Sequence, residues 1–154
     1  MLHSKIIEFY EDYKSDDFPF FETQSSLECE KIKNKIAEKI NFESNLLSTS
    51  LTKKLDSVLY DFSPEPIDFN KINLVEILKS IGVKETVGNV FINWYNFDLI
   101  DEMNLFDFDK YLLDLWYPQE DIEIFTKKCN WIISLNHDSI VRYVNFDQEI
   151  PSSA

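Results

Sequence analysis

Hydrophobic positions recur at two different periods along this chain, and the change of period divides it. In residues 4–14, Ile6, Phe9, Tyr10 and Tyr13 step by three and four, marking one face of a helix. The stretch Ser15-Asp-Asp-Phe-Pro-Phe-Phe ends that pattern, because Pro19 has no amide hydrogen to donate. Ser25-Ser-Leu-Glu28 reads as a capping box that starts a second helix. Behind it Cys29, Ile32, Ile36 and Ile40 form the apolar stripe, with Lys and Glu on the remaining faces. A third helix is predicted from about Ser44 to Tyr60 on Leu47, Leu51, Leu55 and Val58 or Leu59. Ser63-Pro-Glu-Pro66 is an extended connector, since each proline disfavours helix in the residue before it. A fourth helix follows from Asn73, with Leu74, Ile77, Leu78 and Ile81 inward and Gly82 at the left-handed cap position.

After Gly82 the period falls to two. Val90, Ile92 and Trp94 alternate with Phe91, Asn93 and Tyr95, as in a strand. Residues 121–126 alternate more cleanly, which predicts charged side chains outward and isoleucines inward. Residues 130–135 and 140–146 make two further strands around the turn Asn136-His-Asp-Ser139, a hairpin. Between the first strand and the rest, Phe108, Tyr111, Leu112 and Leu115 mark a short helix over 107–116. N-terminal helices followed by a mostly antiparallel sheet with one short inserted helix define an α+β class. Residues 1–150 are expected to form one domain, with 151–154 as a frayed tail.

Composition narrows the function classes. The 154 residues carry 28 acidic and 15 basic side chains, a formal net charge of −13, so direct binding to nucleic acid or anionic lipid is disfavoured. No apolar run approaches the roughly 20 residues of a membrane span. The first residues turn acidic at once and do not read as a secretory signal, so a cytoplasmic location is expected. Cys29 and Cys129 fit no disulfide framework and no CxxC pair, and each sits in an apolar setting as a small hydrophobe.

Catalytic and metal chemistry find little support. His3 and His137 are the only histidines, and neither has a ligand-spaced Cys or His neighbour. Gly82 and Gly88, the only glycines, cannot make a phosphate loop, and no GxSxG elbow occurs. The one Asp-x-Lys triplet, Asp12-Tyr-Lys14, lies on a predicted helix rather than a strand. Residues 98–109 lack the central glycine and terminal Glu of a calcium loop. The reading is therefore non-enzymatic, with no metal and no cofactor.

What remains is an acidic, aromatic second half. Residues 97–150 hold twelve acids against four bases, whereas residues 1–96 hold sixteen against eleven. A solvated sheet face accounts for such charge by default. The alternative is a partner site, in which carboxylates steer a cationic surface and aromatics supply contact area. The segment 98–109, read as a loop between strand and helix, is the preferred place for it. The predicted partner-binding residues are Asp98, Asp101, Glu102, Asp107 and Asp109, with the aromatics Trp94, Tyr95 and Phe97.

A resemblance bears on the kind of partner. Tyr111-Leu-Leu-Asp-Leu-Trp-Tyr-Pro-Gln-Glu-Asp-Ile-Glu-Ile-Phe125, followed by Asn130-Trp-Ile-Ile-Ser-Leu-Asn-His-Asp138, resembles a pattern in small bacterial toxin-immunity proteins of the contact-dependent-inhibition and polymorphic-toxin type. There a helix ends in Leu-Trp-Tyr-Pro, an acidic strand ends in Ile-Phe, and a Trp-containing strand runs into a His-Asp turn. The resemblance spans residues 111–143 and implies a cytoplasmic antidote that binds and blocks a toxin domain. It carries over no binding residue, and within it Trp116, Tyr117, Trp131 and His137 can equally be structural. A nuclease toxin, whose active site holds phosphate with Lys and Arg, is the expected cognate partner. The alternatives are an acidic interaction module, or a nucleic-acid mimic that inhibits another host or phage enzyme. Oligomeric state is left open by the sequence, because exposed strand edges can pair two copies.

Overall fold

The computed structural model of the chain describes residues 1–13, 16–43, 48–116 and 120–148, without the side chains of 48–50. A 3-10 turn, Leu2–Lys5, runs into α1 (Ile6–Asp12). Strand β1 (Phe21–Thr23), helices α2 (Ser26–Lys39) and α3 (Ser48–Val58), and the two-residue strand β2 (Tyr60–Asp61) follow. Then come a 3-10 turn, Phe69–Lys71, and α4 (Leu74–Ser80). The second half supplies β3 (Asn89–Tyr95), β4 (Leu99–Asn104), α5 (Leu105–Lys110), α6 (Leu112–Leu115), β5 (Ile122–Phe125), β6 (Trp131–Leu135) and β7 (Val141–Asn145). The seven strands form one antiparallel sheet in the order β1-β4-β3-β5-β6-β7-β2, so the chain is of the α+β class.

Local signals set most helix ends. Ser25 Oγ accepts from the Glu28 amide at 3.2 Å, and Asn73 Oδ1 accepts from the Glu76 amide at 3.0 Å, each satisfying a donor the first turn leaves free. At the end of α4, Gly82 takes φ +88°. The Val83 amide then reaches the Leu78 carbonyl at 2.9 Å and the Gly82 amide the Lys79 carbonyl at 3.1 Å. That pair of bonds is a Schellman closure, which glycine accepts without a Cβ penalty. The third predicted helix begins at Ser48 as described, and its expected start at 44–47 lies outside the described residues, as does the tail.

Both faces of the sheet are covered. Val90, Ile92, Trp94, Ile122, Ile124 and Ile133 pack against Phe9, Leu74, Phe108, Leu112 and Trp116 from α1 and α4–α6. On the opposite face Phe91, Ile100, Phe125, Ile132 and Val144 pack against Cys29, Ile32, Ile36, Leu51 and Leu55 from α2 and α3. Antiparallel sheets commonly leave one face to water; this one does not.

That coverage corrects two expectations. All four residues of β5 are buried, so Glu123 does not point to solvent but lies beneath α3. Nor are residues 98–109 a loop, since they form β4 and α5. The short helical insertion is split at Tyr111, where the backbone leaves helical geometry between α5 and α6. Strands β1 and β2, both at sheet edges, are too short to show a periodicity in the sequence.

Candidate functional site

The eight residues expected to bind a partner do not form one surface. Strand β4 separates Asp98 from Asp107, and six strand residues span about 20 Å. Asp101, fully buried, accepts from Leu2 N at 3.1 Å, Thr23 Oγ1 at 2.6 Å and Trp94 Nε1 at 2.9 Å, with the Met1 amino group at 3.5 Å. It therefore ties the N-terminal turn to β1 and β3, and it is not a contact residue. Trp94 is buried in the same arrangement, and Phe97 is buried in the opposite core. Asp109 Oδ1 accepts from Leu74 N at 2.8 Å and so serves as a cap of α4.

The other four lie nearer the surface but apart. Glu102 is half-buried opposite Glu22 of β1, and burial followed by that like charge pushes its carboxyl up. Asp107 sits in the first turn of α5, capped by Asn104. Asp98 is exposed and paired with Lys33, which also bonds Glu30. Tyr95 is 66% exposed, the one aromatic of the predicted set that a partner can reach.

Tyr95 stands at a turn that a single asparagine organises. Asn96 and Phe97 take φ of 46° and 58°, and the Asp98 amide closes on the Tyr95 carbonyl at 2.9 Å. A phenylalanine in left-handed geometry costs about 1–2 kcal/mol, which burial of its ring, worth about 1.5–3 kcal/mol, offsets. Asn93 Oδ1 accepts from the Tyr95 and Phe97 amides at 3.2 and 2.7 Å. The Asn93 amide nitrogen donates to Glu123 Oε2 at 2.7 Å, linking the turn to β5.

Just beyond that link the strands part. Pairing between β3 and β5 ends at Asn93 and Glu123, and a cleft of about 470 Å³ opens there. It is lined by Asn93, Trp94, Tyr95, Asn96 and Leu99, by Glu120, Asp121 and Glu123 at the start of β5, and by Thr52 of α3 and Met1. Among the described residues, the lining contains three carboxylates and no lysine or arginine. Its one cation, the Met1 amino group, is turned to Asp101.

The three acids differ in environment. Glu123 is 4% exposed, and burial pushes its carboxyl from 4.5 up to about 7; the Asn93 hydrogen bond opposes that shift, while Asp56 and Asp121 add to it. Asp121 is exposed and accepts from the His137 backbone amide at 2.9 Å and faces its Nδ1 at 2.8 Å. That carboxylate holds the imidazole above its ordinary value, with Asp138 adding to the effect. Glu120 is half-buried, and its charge also reaches Lys5, which is itself buried.

A contrasting cleft lies at the other end of the same strands. About 660 Å³ in volume, it is lined by Lys84, Lys127 and Lys128 together with Glu85, Asp147, Asn89 and Thr126. Comparison with known protein families, with curated proteins and with solved structures found no match. The acidic cleft is thus defined by its chemistry alone: one exposed, one half-buried and one buried carboxylate beside an exposed phenol.

The sequence reading named Trp94 and Tyr95 but missed Glu120, Asp121 and Glu123. The alternation over 121–126 predicts solvated charges, which holds for exposed Asp121 and fails for buried Glu123. One signal could have found Glu123. The helical stripes Cys29–Ile40 and Leu51–Leu55 each need an apolar surface to cover, so a charge in the middle of the sheet could not stay in water.

Proposed function

We propose that this chain is a cytoplasmic immunity-type protein that binds and blocks a basic toxin domain, with the acidic cleft beside Tyr95 as the centre of its contact surface. The observation that carries this reading is the cleft lining: Glu120, Asp121 and Glu123 beside exposed Tyr95, with no lysine or arginine among the described residues. Carboxylates in such a setting draw a cationic surface at high on-rate, and an exposed phenol adds rigid contact area. The segment that resembles toxin-immunity proteins supplies all three acids and His137, which supports the same class of partner. No helix among the described residues is long and apolar enough to cross a membrane, in keeping with that reading.

Co-expression with the C-terminal domain of the product encoded just upstream tests the proposal. Growth rescue, co-purification and an association rate that falls steeply with added salt are expected. A toxin that still kills, with no complex formed, overturns it. Binding indifferent to salt removes the role given to the carboxylates.

A further inference from the structure

We infer that the open edge of β1 is a docking site for an extended, basic segment of a partner protein, which joins the seven-stranded sheet as a further strand with alternating apolar and cationic side chains. No residue of β1 lines the acidic cleft, so this surface goes beyond the reading given to that cleft. The backbone provides the template. Strand β1 stands at the end of the sheet, paired with β4 alone. The Gln24 amide reaches the Ile100 carbonyl and the Leu105 amide the Gly88 carbonyl, both at 2.9 Å, which fixes the phase of the ladders on either side of β4. Ile100 and Glu102 therefore bond toward β1, and their partners Gln24 and Glu22 bond back. Phe21 and Thr23, which alternate with them, turn their N–H and C=O groups to the open side. Such a row of groups accepts another strand. The opposite edge is shorter and guarded, since β2 has two residues and is followed by Pro64 and Pro66.

Side chains on the two faces of that edge set the chemistry of the incoming strand. On one face the His3 ring packs edge-on to Phe21 with centroids 4.7 Å apart, and Tyr10 Oη accepts from the Phe18 amide at 3.1 Å. Ile7 lies between these two anchors at helical spacing and is 75% exposed, and Phe20, just before β1, is 76% exposed. Apolar side chains opposite Phe21 and Thr23 share the face that holds Ile7. On the other face Glu22 stands in register with Glu102, and after burial that like charge pushes the Glu102 carboxyl up, with Lys127 opposing. A lysine or arginine of the added strand meets Glu22 from its free side, a favourable cross-strand pair. Charge around the edge has the same sign. Glu8, Glu11, Asp16 and Asp17 are exposed, whereas Lys5, the one lysine or arginine among the described residues 1–24, is buried. A second copy of the chain is the wrong occupant, because antiparallel pairing of two such edges sets Glu22 against Glu22.

The edge is tested by titrating the whole protein with a blocked hexapeptide of alternating valine and lysine. The Phe21 and Thr23 amides are followed by NMR shift and by hydrogen exchange. Saturable shifts and slowed exchange at both amides are expected. Two further peptides serve as controls: alternating valine and glutamate, which carries the wrong charge, and the valine–lysine peptide N-methylated at its valines, which cannot donate to the edge. Neither is expected to bind. Glu22→Lys, at an exposed position outside the core, is expected to weaken the valine–lysine peptide about tenfold and to admit the valine–glutamate peptide. Absence of a saturable shift, or shifts confined to Tyr60 and Asp61 at the other edge or to Tyr95 at the cleft, overturns the docking edge. So does equal binding of the N-methylated peptide, or an unchanged charge preference in Glu22→Lys. The measurement uses no toxin, so a failed growth rescue removes the toxin reading and leaves the edge standing.

Discussion

The two ends of strands β3 and β5 carry opposite chemistry on the same scaffold. At one end Glu120, Asp121 and Glu123 line the same cleft as exposed Tyr95. At the other, Lys127 and Lys128 follow β5 directly and Lys84 stands nearby, while Lys35 of α2 donates to the Lys127 carbonyl at 2.9 Å. Only Ile122–Phe125 and Thr126 lie between Asp121 and Lys127, about 20 Å of chain. The difference teaches that the net charge of −13 is not spread evenly. At the acidic end Asp121 is met by His137 and Glu120 by the charge of Lys5, while the charges that act on buried Glu123 are those of Asp56 and Asp121. The ends also differ in depth. The acidic end holds buried charge, Asp101 and Glu123, whereas Lys84, Lys127 and Lys128 are exposed. Changes at the acidic end should therefore reach stability, and lysine changes should not.

The hardest blow to that contrast is Asp101→Ala. It leaves Trp94 Nε1, Thr23 Oγ1 and the Leu2 amide without their acceptor, and a loss of about 3–5 kcal/mol in urea unfolding is expected. A loss below about 1 kcal/mol, the size of an ordinary surface change, would show that the acidic end is not internally tied.

Next in size is the pH dependence set by Glu123. Its folded-state value is raised from 4.5 to about 7, so between those limits the folded chain keeps a proton the unfolded chain has released. Stability from this group is present below about 4.5 and is lost as pH rises toward 7, on the order of 2–3 kcal/mol. Glu123→Gln should flatten that slope in melts run across the interval. If the slope is the same in wild type and variant, the burial cost assigned to Glu123 is wrong.

At the lysine end, Gly82→Ala tests backbone rather than charge. A Cβ at φ +88° is strained and the Gln148 side chain must swing aside, so about 1–2 kcal/mol is the expected cost. Replacing Lys127 and Lys128 by Gln should shift stability by no more than about 0.5 kcal/mol. It sharpens the comparison if association with a basic partner then rises, because the competing positive end has been weakened. The smallest effect belongs to His137, exposed beside Asp121. Its NMR titration midpoint should fall in Asp121→Asn, and an unmoved midpoint would place the raising charge elsewhere.

The helices and the β6–β7 hairpin were legible in the sequence because their causes are local. Ser25 and Asn73 meet amides three residues on, Gly82 closes the turn that precedes it, and Asn136 holds the turn between strands through the Asp138 and Ile140 amides at 3.0 and 3.1 Å. The candidate site was only half legible. Tyr95 emerged from its aromatic setting, and the acidic bias of the second half was correctly noticed. The particular acids were misassigned because alternation along a strand says which residues share a face, but not whether that face meets water. Asp101 and Glu102 are adjacent in sequence, yet one is buried among Trp94, Thr23 and Leu2 while the other faces Glu22.

Period, caps and turn residues, which act over four residues or fewer, determined most helices and the strands β3 and β5–β7, but not β1, β2 or β4. Which carboxylates are exposed was decided only when α2 and α3 covered the second face of the sheet. The same packing decided that pairing of β3 with β5 stops at Asn93 and Glu123. Burial depends on contacts between segments far apart in the chain: Asp101 holds Leu2, 99 positions away, and Asn93 holds Glu123, 30 away. No periodicity within a single segment encodes what another segment will cover.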